Sequence, residues 1–171
     1  MQVAADSSSL IYLGKLDRLP LLERLYSDVL IAPSVWEETI QGGKEVHPVE
    51  SAQLERSLRE YELIDLTYDE VRLSQLFRMD LRLGAGEAEV IAVSSIRGCV
   101  AMVDEKRARA AAVRLGVRLV GTVGVLLAAR EISLLSYDEL LDLLRRLASV
   151  AWVSPDIMAR VIQSLREEEG I

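Results

Sequence analysis

Cys99-Val100-Ala101-Met102-Val103-Asp104-Glu105-Lys106-Arg107-Ala108-Arg109 is the stretch that decides the fold. Its apolar run, Cys99 to Val103, has the length and β-branched content of a buried strand. Acids end the run, and a helix is expected from Glu105 to Leu115 with Gly116 closing it. The same unit recurs along the chain. Gln2 to Ala5 runs into Asp6, after which Ser7-Ser8-Ser9 opens a helix through Leu10-Ile11-Tyr12-Leu13. Val29 to Ala32 reads as a second buried strand, and Pro33 opens a helix from Ser34 to Gln41 that Gly42-Gly43 should close. Arg118-Leu119-Val120 leads through Gly121-Thr122 into a helix from Val123 to Arg130.

Repetition of strand, turn and helix calls for an α/β fold with a central, mostly parallel sheet flanked by helices on both faces. Four to five strands are expected, Leu63 to Leu66 being the weakest of them. Leu83-Gly84-Ala85-Gly86 reads as a turn before an apolar helix from Glu87 to Ile96. Helices are further expected over Leu19 to Tyr26, Val49 to Glu60, Tyr68 to Met79, Tyr137 to Ala148 and Pro155 to Glu168. At 171 residues the chain suffices for one domain with a real core, and 132–171 form its carboxyl-terminal helices. The stripe of Leu140, Leu141, Leu144, Leu147 and Val150 reads as core.

Composition narrows the function. Half of the residues are hydrophobic and 5% are aromatic, which rules out disorder and demands an aliphatic core. The lone Cys99 excludes an internal disulfide and a cysteine zinc cluster, and its apolar neighbours predict a buried thiol. The lone His47, in a loop beside Pro48, argues against a Ser-His-Asp triad and against histidine-bound zinc. Gly84-Ala85-Gly86 lacks the lysine and spacing of a phosphate-binding loop. No targeting segment or membrane span is visible, so a cytoplasmic protein is expected. A formal charge of −7 opposes nonspecific nucleic-acid binding. Local distribution softens that: Arg97, Lys106, Arg107, Arg109, Arg114, Arg118 and Arg130 lie in one stretch whose nearby acids are Asp104 and Glu105.

Four acids carry the chemistry: Asp6, Glu38, Glu87 and Asp104. Two end apolar runs and two sit in the first turns of helices, and in a parallel α/β sheet these places share one rim. Carboxylates gathered there repel one another unless a cation lies between them, and Mg²⁺ and Mn²⁺ prefer such oxygen ligands. Asp6 is not needed as a helix cap, since three serines follow it. Each acid has a neighbouring rival: Glu37 beside Glu38, Glu89 near Glu87, and Glu105 beside Asp104. Arg82 offers a competing ion pair for Glu87, and Glu105 one for Arg109. Ser8 and Thr122 are candidate supporting hydroxyls, while Lys106, Arg107 and Arg109 are candidate contacts for a phosphate backbone.

The order of these segments resembles the PIN-domain family. The likeness rests on Asp6-Ser7-Ser8-Ser9-Leu10-Ile11, Ile31-Ala32-Pro33-Ser34-Val35-Trp36-Glu37-Glu38 and Gly86-Glu87-Ala88-Glu89-Val90-Ile91-Ala92. Val103 to Arg109 and Gly121-Thr122-Val123-Gly124-Val125-Leu126 extend it. The chain looks most like a prokaryotic, VapC-like branch. That resemblance implies a ribonuclease using Mg²⁺ or Mn²⁺, with Asp6 as central ligand, Glu87 and Asp104 completing the set, and Glu38 orienting water or binding metal. It also implies an RNA substrate, a toxin role with an antitoxin partner, and a homodimer. The rival reading is a catalytically inactive module of the same fold that binds nucleic acid or protein as a dimer.

Overall fold

The computed structural model describes residues 1–46, 54–151, 159, 161–163 and 165. His47 and Pro48, residues 49–53 of the expected Val49 to Glu60 helix, and most of the expected Pro155 to Glu168 helix lie outside the described residues. The described chain forms two compact units, Met1–Thr122 and Val123–Ile171.

The first unit is a five-stranded, all-parallel sheet. In chain order its elements are β1 (Val3–Ala5), α1 (Ser7–Lys15), α2 (Pro20–Leu25), β2 (Val29–Ile31) and α3 (Pro33–Val46). Helical residues 54–58 (α4) follow, then β3 (Glu62–Leu63), α5 (Tyr68–Leu81), α6 (Ala85–Arg97), β4 (Val100–Met102), α7 (Lys106–Arg114) and β5 (Leu119–Val120). The strands are short, and every residue of β1, β2 and β4 is buried, as expected of strands covered on both faces. Strand order is β3-β2-β1-β4-β5. The chain thus builds outward from β1 in one direction, then returns to β1 and builds outward in the other. Right-handed crossovers in the two directions put helices on opposite faces of the sheet. The order reverses between β1 and β4, and it is outside the carboxyl ends of strands at such a switch point that folds of this type bind ligands.

Several helix ends differ from the sequence expectation. Helix α3 runs through Gly42 and Gly43 to Val46 instead of stopping at them. Each interior glycine costs a helix about 1 kcal/mol, a penalty that packing outweighs, and α3 packs on α1 and α6. Ala85 and Gly86 are the first residues of α6, not part of a turn. Gly86 lies so close to α3 that an added Cβ would stand 3.1 Å from Val35 Cγ2. Gly98 ends α6 in the left-handed region at φ 68°, as glycine allows.

An ion pair ties α5 to the far end of α6. Arg97 Nε donates to Glu70 Oε1 at 2.6 Å, and its Nη2 reaches Glu70 Oε2 at 3.0 Å. Glu70 is fully buried and also closes a capping box with Thr67 at the start of α5. Arg97 therefore leaves the basic stretch that the sequence assigned it to. Cys99 is a buried thiol, as expected.

Helix α8 (Thr122–Glu131) starts on the last residue of the first unit; in the second unit it is followed by α9 (Tyr137–Val150), which Ser136 and Glu139 open with a capping box. The buried stripe of α9 is Leu140, Leu143, Leu144 and Leu147; Leu141 is half-buried, and Val150 is exposed. Leu143 adjoins Leu140 and Leu147 on one face; Val150 shares that face but is the last residue of α9, where it is exposed.

Candidate active site

Asp6 follows β1 directly, and its backbone N–H extends the ladder to Met102 O at 3.0 Å. Asp104 stands two residues beyond β4. The two strand-end acids thus flank the switch point. Ser9 connects them: its N–H donates to Asp6 Oδ1 at 2.8 Å, and its hydroxyl donates to Asp104 Oδ2 at 2.9 Å. Asp104 also accepts from the N–H of Thr122 at 2.9 Å and from the Thr122 hydroxyl.

The helix-borne acids come to the same rim by another route. Glu38 Oε1 accepts the N–H of Gly86 at 3.0 Å, and Oε2 accepts the hydroxyl of Ser7 at 2.7 Å. Glu87 folds back to accept the N–H of Gly84 at 2.9 Å. Its carboxyl is raised from the ordinary value, first by burial and then by the charges of Glu105 and Glu38, against the pull of the Gly84 bond and Arg107.

The adjacent acids divide by role. Glu89 accepts both the N–H and the hydroxyl of Ser34, so it caps the start of α3. Glu105 caps α7 through the N–H groups of Arg107 and Ala108. Glu37 is exposed. Capping is in fact the common feature of the rim: Asp6 is the N-cap of α1, contrary to the argument that the serines would serve instead. Helix starts present unpaired N–H groups and a positive dipole end, and carboxylates answer both. A hydroxyl cannot replace Asp6 here because the Ser7 and Ser9 hydroxyls are turned to Glu38 and Asp104. Ser8, between them, is half-buried and donates to neither acid.

Charge at the rim is not neutralised by ion pairs among the described residues. Those pairs join Arg97 to Glu70, Arg59 to Glu55 and Arg146 to Asp142. Arg82 does not pair with Glu87; its carbonyl accepts Arg107 Nη1 at 3.3 Å. Arg109 does not pair with Glu105; its Nη1 donates to Val103 O at 2.9 Å. Asp6 is 1% exposed, and burial pushes its carboxyl up to about 7, with the charges of Asp104 and Glu87 adding to the rise and the Ser9 bonds opposing it. Tyr12, half-buried on α1, is raised by burial and by Asp104 and Asp6.

The donor set suits a hard divalent cation: carboxylate oxygens only, with Asp6 buried among them. No three acid, histidine or cysteine side chains among the described residues stand close enough to cage an ion. Mg²⁺ ordinarily keeps several waters and binds through one or two carboxylates plus substrate phosphates. Asp6 and Asp104 are the two carboxylates that Ser9 joins. Two glycines keep space beside the acids. A Cβ on Gly86 would meet Glu38 Oε2 at 2.7 Å, and one on Gly121 would meet Asp104 Oδ1 at 2.7 Å.

The sequence passed over Ser7, Ser9, Gly86 and Gly121. The signal for Ser9 was present: an N-cap side chain receives the N–H of the third residue after it, which places that residue beside the acid.

An all-parallel sheet with carboxylates at its switch point defines an α/β protein with an acidic rim. The chain belongs to the PIN-domain family, whose model, described as DUF3368: PIN domain, matches residues 2–167. The crystal structure of VapBC2 from Rickettsia felis bound to a DNA fragment from their promoter shares the fold, at TM-score 0.55 and 14% identity over 71% of this chain and 98% of that one. A toxin-antitoxin complex from Klebsiella pneumoniae is similar at TM-score 0.49 and 19% identity, over 60% of this chain and 86% of that one. No curated protein matches the chain. Among the described residues no helix is long and apolar enough to cross a membrane.

Proposed function

We propose that this PIN-domain protein is a Mg²⁺- or Mn²⁺-dependent endoribonuclease, with residues 1–171 acting as one functional domain. The observation that carries the reading is the placement of Asp6 and Asp104 at the switch point, joined through Ser9. The ion, when bound, supplies Lewis acidity for hydrolysis of a phosphodiester. Asp6 offers its carboxylate, held by Ser9, and Asp104 is oriented by Ser9 and Thr122. Glu38 and Glu87 hold further acceptors at the start of α6 that can receive protons from water. Lys106 and Arg107 are exposed at the start of α7, next to the acidic rim. Cations oppose the helix dipole at that end, so their position favours a phosphate partner over helix stability.

A toxin role with an antitoxin partner and a homodimer in the cytoplasm complete the reading, by analogy with the VapBC2 complex. Replacing Asp6 with Asn is the test of catalysis. The variant should keep its fold, because Asn caps a helix as well as Asp, and should lose Mn²⁺-dependent RNA cleavage. Undiminished cleavage rejects the assignment.

One observation favours the inactive-module reading. Asp6, Glu87, Glu89 and Glu105 all cap helices, which accounts for them without an ion. The readings part on the wild-type protein: the module cuts no RNA in Mn²⁺, and the nuclease does.

A further inference from the structure

We propose that Ser9 is the positioning residue of the metal centre, holding Asp6 and Asp104 at a fixed spacing and orientation through two different groups of one residue. This rests on the reading of those two acids as ligands.

Ser9 is fully buried. Its N–H reaches Asp6 Oδ1 at 2.8 Å and alone satisfies the cap of α1. The hydroxyl is not needed for that cap. It donates to Asp104 Oδ2 at 2.9 Å, bridging residues 95 apart in sequence, while also steadying the Asp6 carboxylate. Thr122 supplies the other donors to Asp104, so both oxygens of that carboxylate are oriented. The neighbouring serines take no part in this bridge, since Ser7 donates to Glu38 and Ser8 donates to neither acid. A donor between two carboxylates lessens their repulsion and fixes their rotamers. Partners that orient ligands in this way govern affinity nearly as strongly as the ligands do.

The test is a Mn²⁺ titration of full-length wild type, Ser9→Ala and Ser9→Thr, followed by the paramagnetic resonance signal of free Mn²⁺. Wild type should bind Mn²⁺ saturably. Ser9→Ala should bind on the order of 10-fold more weakly or worse, and Ser9→Thr, which keeps the hydroxyl, should recover most of the affinity. Hydrogen exchange at residue 9 should stay slow in Ser9→Ala, because the backbone cap survives; a purely structural role would speed that exchange and leave Mn²⁺ affinity unchanged. Equal Mn²⁺ affinity in Ser9→Ala and wild type overturns the role of Ser9 and leaves the metal reading standing. Absence of saturable binding in wild type overturns the metal reading and this inference with it.

Discussion

Asp6 and Asp104 follow adjacent parallel strands and share one intervening residue, each accepting a hydrogen bond from Ser9. Two carboxylates brought this close carry a cost that depends on their protonation, and the consequences can be measured.

Protonation of Asp6 should set the pH dependence of the metal-free protein. Its carboxyl is raised from 3.8 to about 7, chiefly by burial. The folded state then holds a proton that the unfolded state releases. The associated stability is fully present below pH 3.8 and is lost as pH rises through about 7. In EDTA, wild type should therefore melt at progressively lower temperature from about pH 5 to about pH 8. Asp6→Asn should show a flatter profile, the difference approaching roughly 4 kcal/mol at its limit. Added Mn²⁺ should stabilise wild type more as pH rises and leave Asp6→Asn unmoved. Parallel profiles for the two proteins would contradict the raised value.

Gly121 should not accept a side chain. An alanine Cβ there would meet Asp104 Oδ1 at 2.7 Å, Arg109 Nη1 at 3.0 Å and Val103 O at 3.5 Å. Asp104 cannot swing away without breaking its bonds to Ser9 and Thr122. Gly121→Ala should cost about 1–3 kcal/mol, the range for overpacking, and should weaken Mn²⁺ binding. Denaturant unfolding and metal titration check both parts.

The Glu70–Arg97 pair should matter for stability and not for the site. The Arg97 hydrogen bonds, helped by Thr67, hold the Glu70 carboxyl below its ordinary 4.5. Its contribution is present above that value and fades as pH falls through the lowered one. Glu70→Gln should cost about 3–5 kcal/mol near neutral pH, as expected when a buried pair loses one partner. The loss should shrink in acid, and Mn²⁺ affinity should stay at the wild-type level.

Lys106 and Arg107 should act on RNA through phosphate charge. In the Asp6→Asn background, which should bind without cutting, Lys106→Ala with Arg107→Ala should weaken binding to single-stranded RNA at low salt. The slope of log affinity against log salt should fall by roughly 0.7 for each phosphate no longer neutralised. An unchanged slope would remove both residues from the interface. Arg109→Ala should behave differently and reduce stability, because its guanidinium is tied to the carbonyl of Val103.

The sheet and its acidic rim were legible in the sequence because buried strands and the residues that end them are local patterns. Val3 to Ala5 and Cys99 to Val103 read as buried runs, and Asp6 and Asp104 follow them. The division of labour among the acids was not legible. Glu89 and Glu87 both sit in the first turns of α6, and only the approach of α3 gives Glu89 the amide of Ser34 to cap. The same holds for the three serines, whose hydroxyls are sorted by partners that arrive from distant parts of the chain: Glu38 for Ser7 and Asp104 for Ser9. The two glycines beside the carboxylates, Gly86 and Gly121, carry no local sign of their use. Their role is the absence of a Cβ at a close approach. Gly42-Gly43 misled in the opposite direction, since packing overrides a modest helix penalty.

Anomalous diffraction from a Mn²⁺-soaked crystal is the decisive experiment for the two strand-end acids. A peak should appear within ligating distance of both the Asp6 and the Asp104 carboxylates, with Ser9 still bonded to each. A crystal at saturating Mn²⁺ with no density between those two side chains would refute the metal centre.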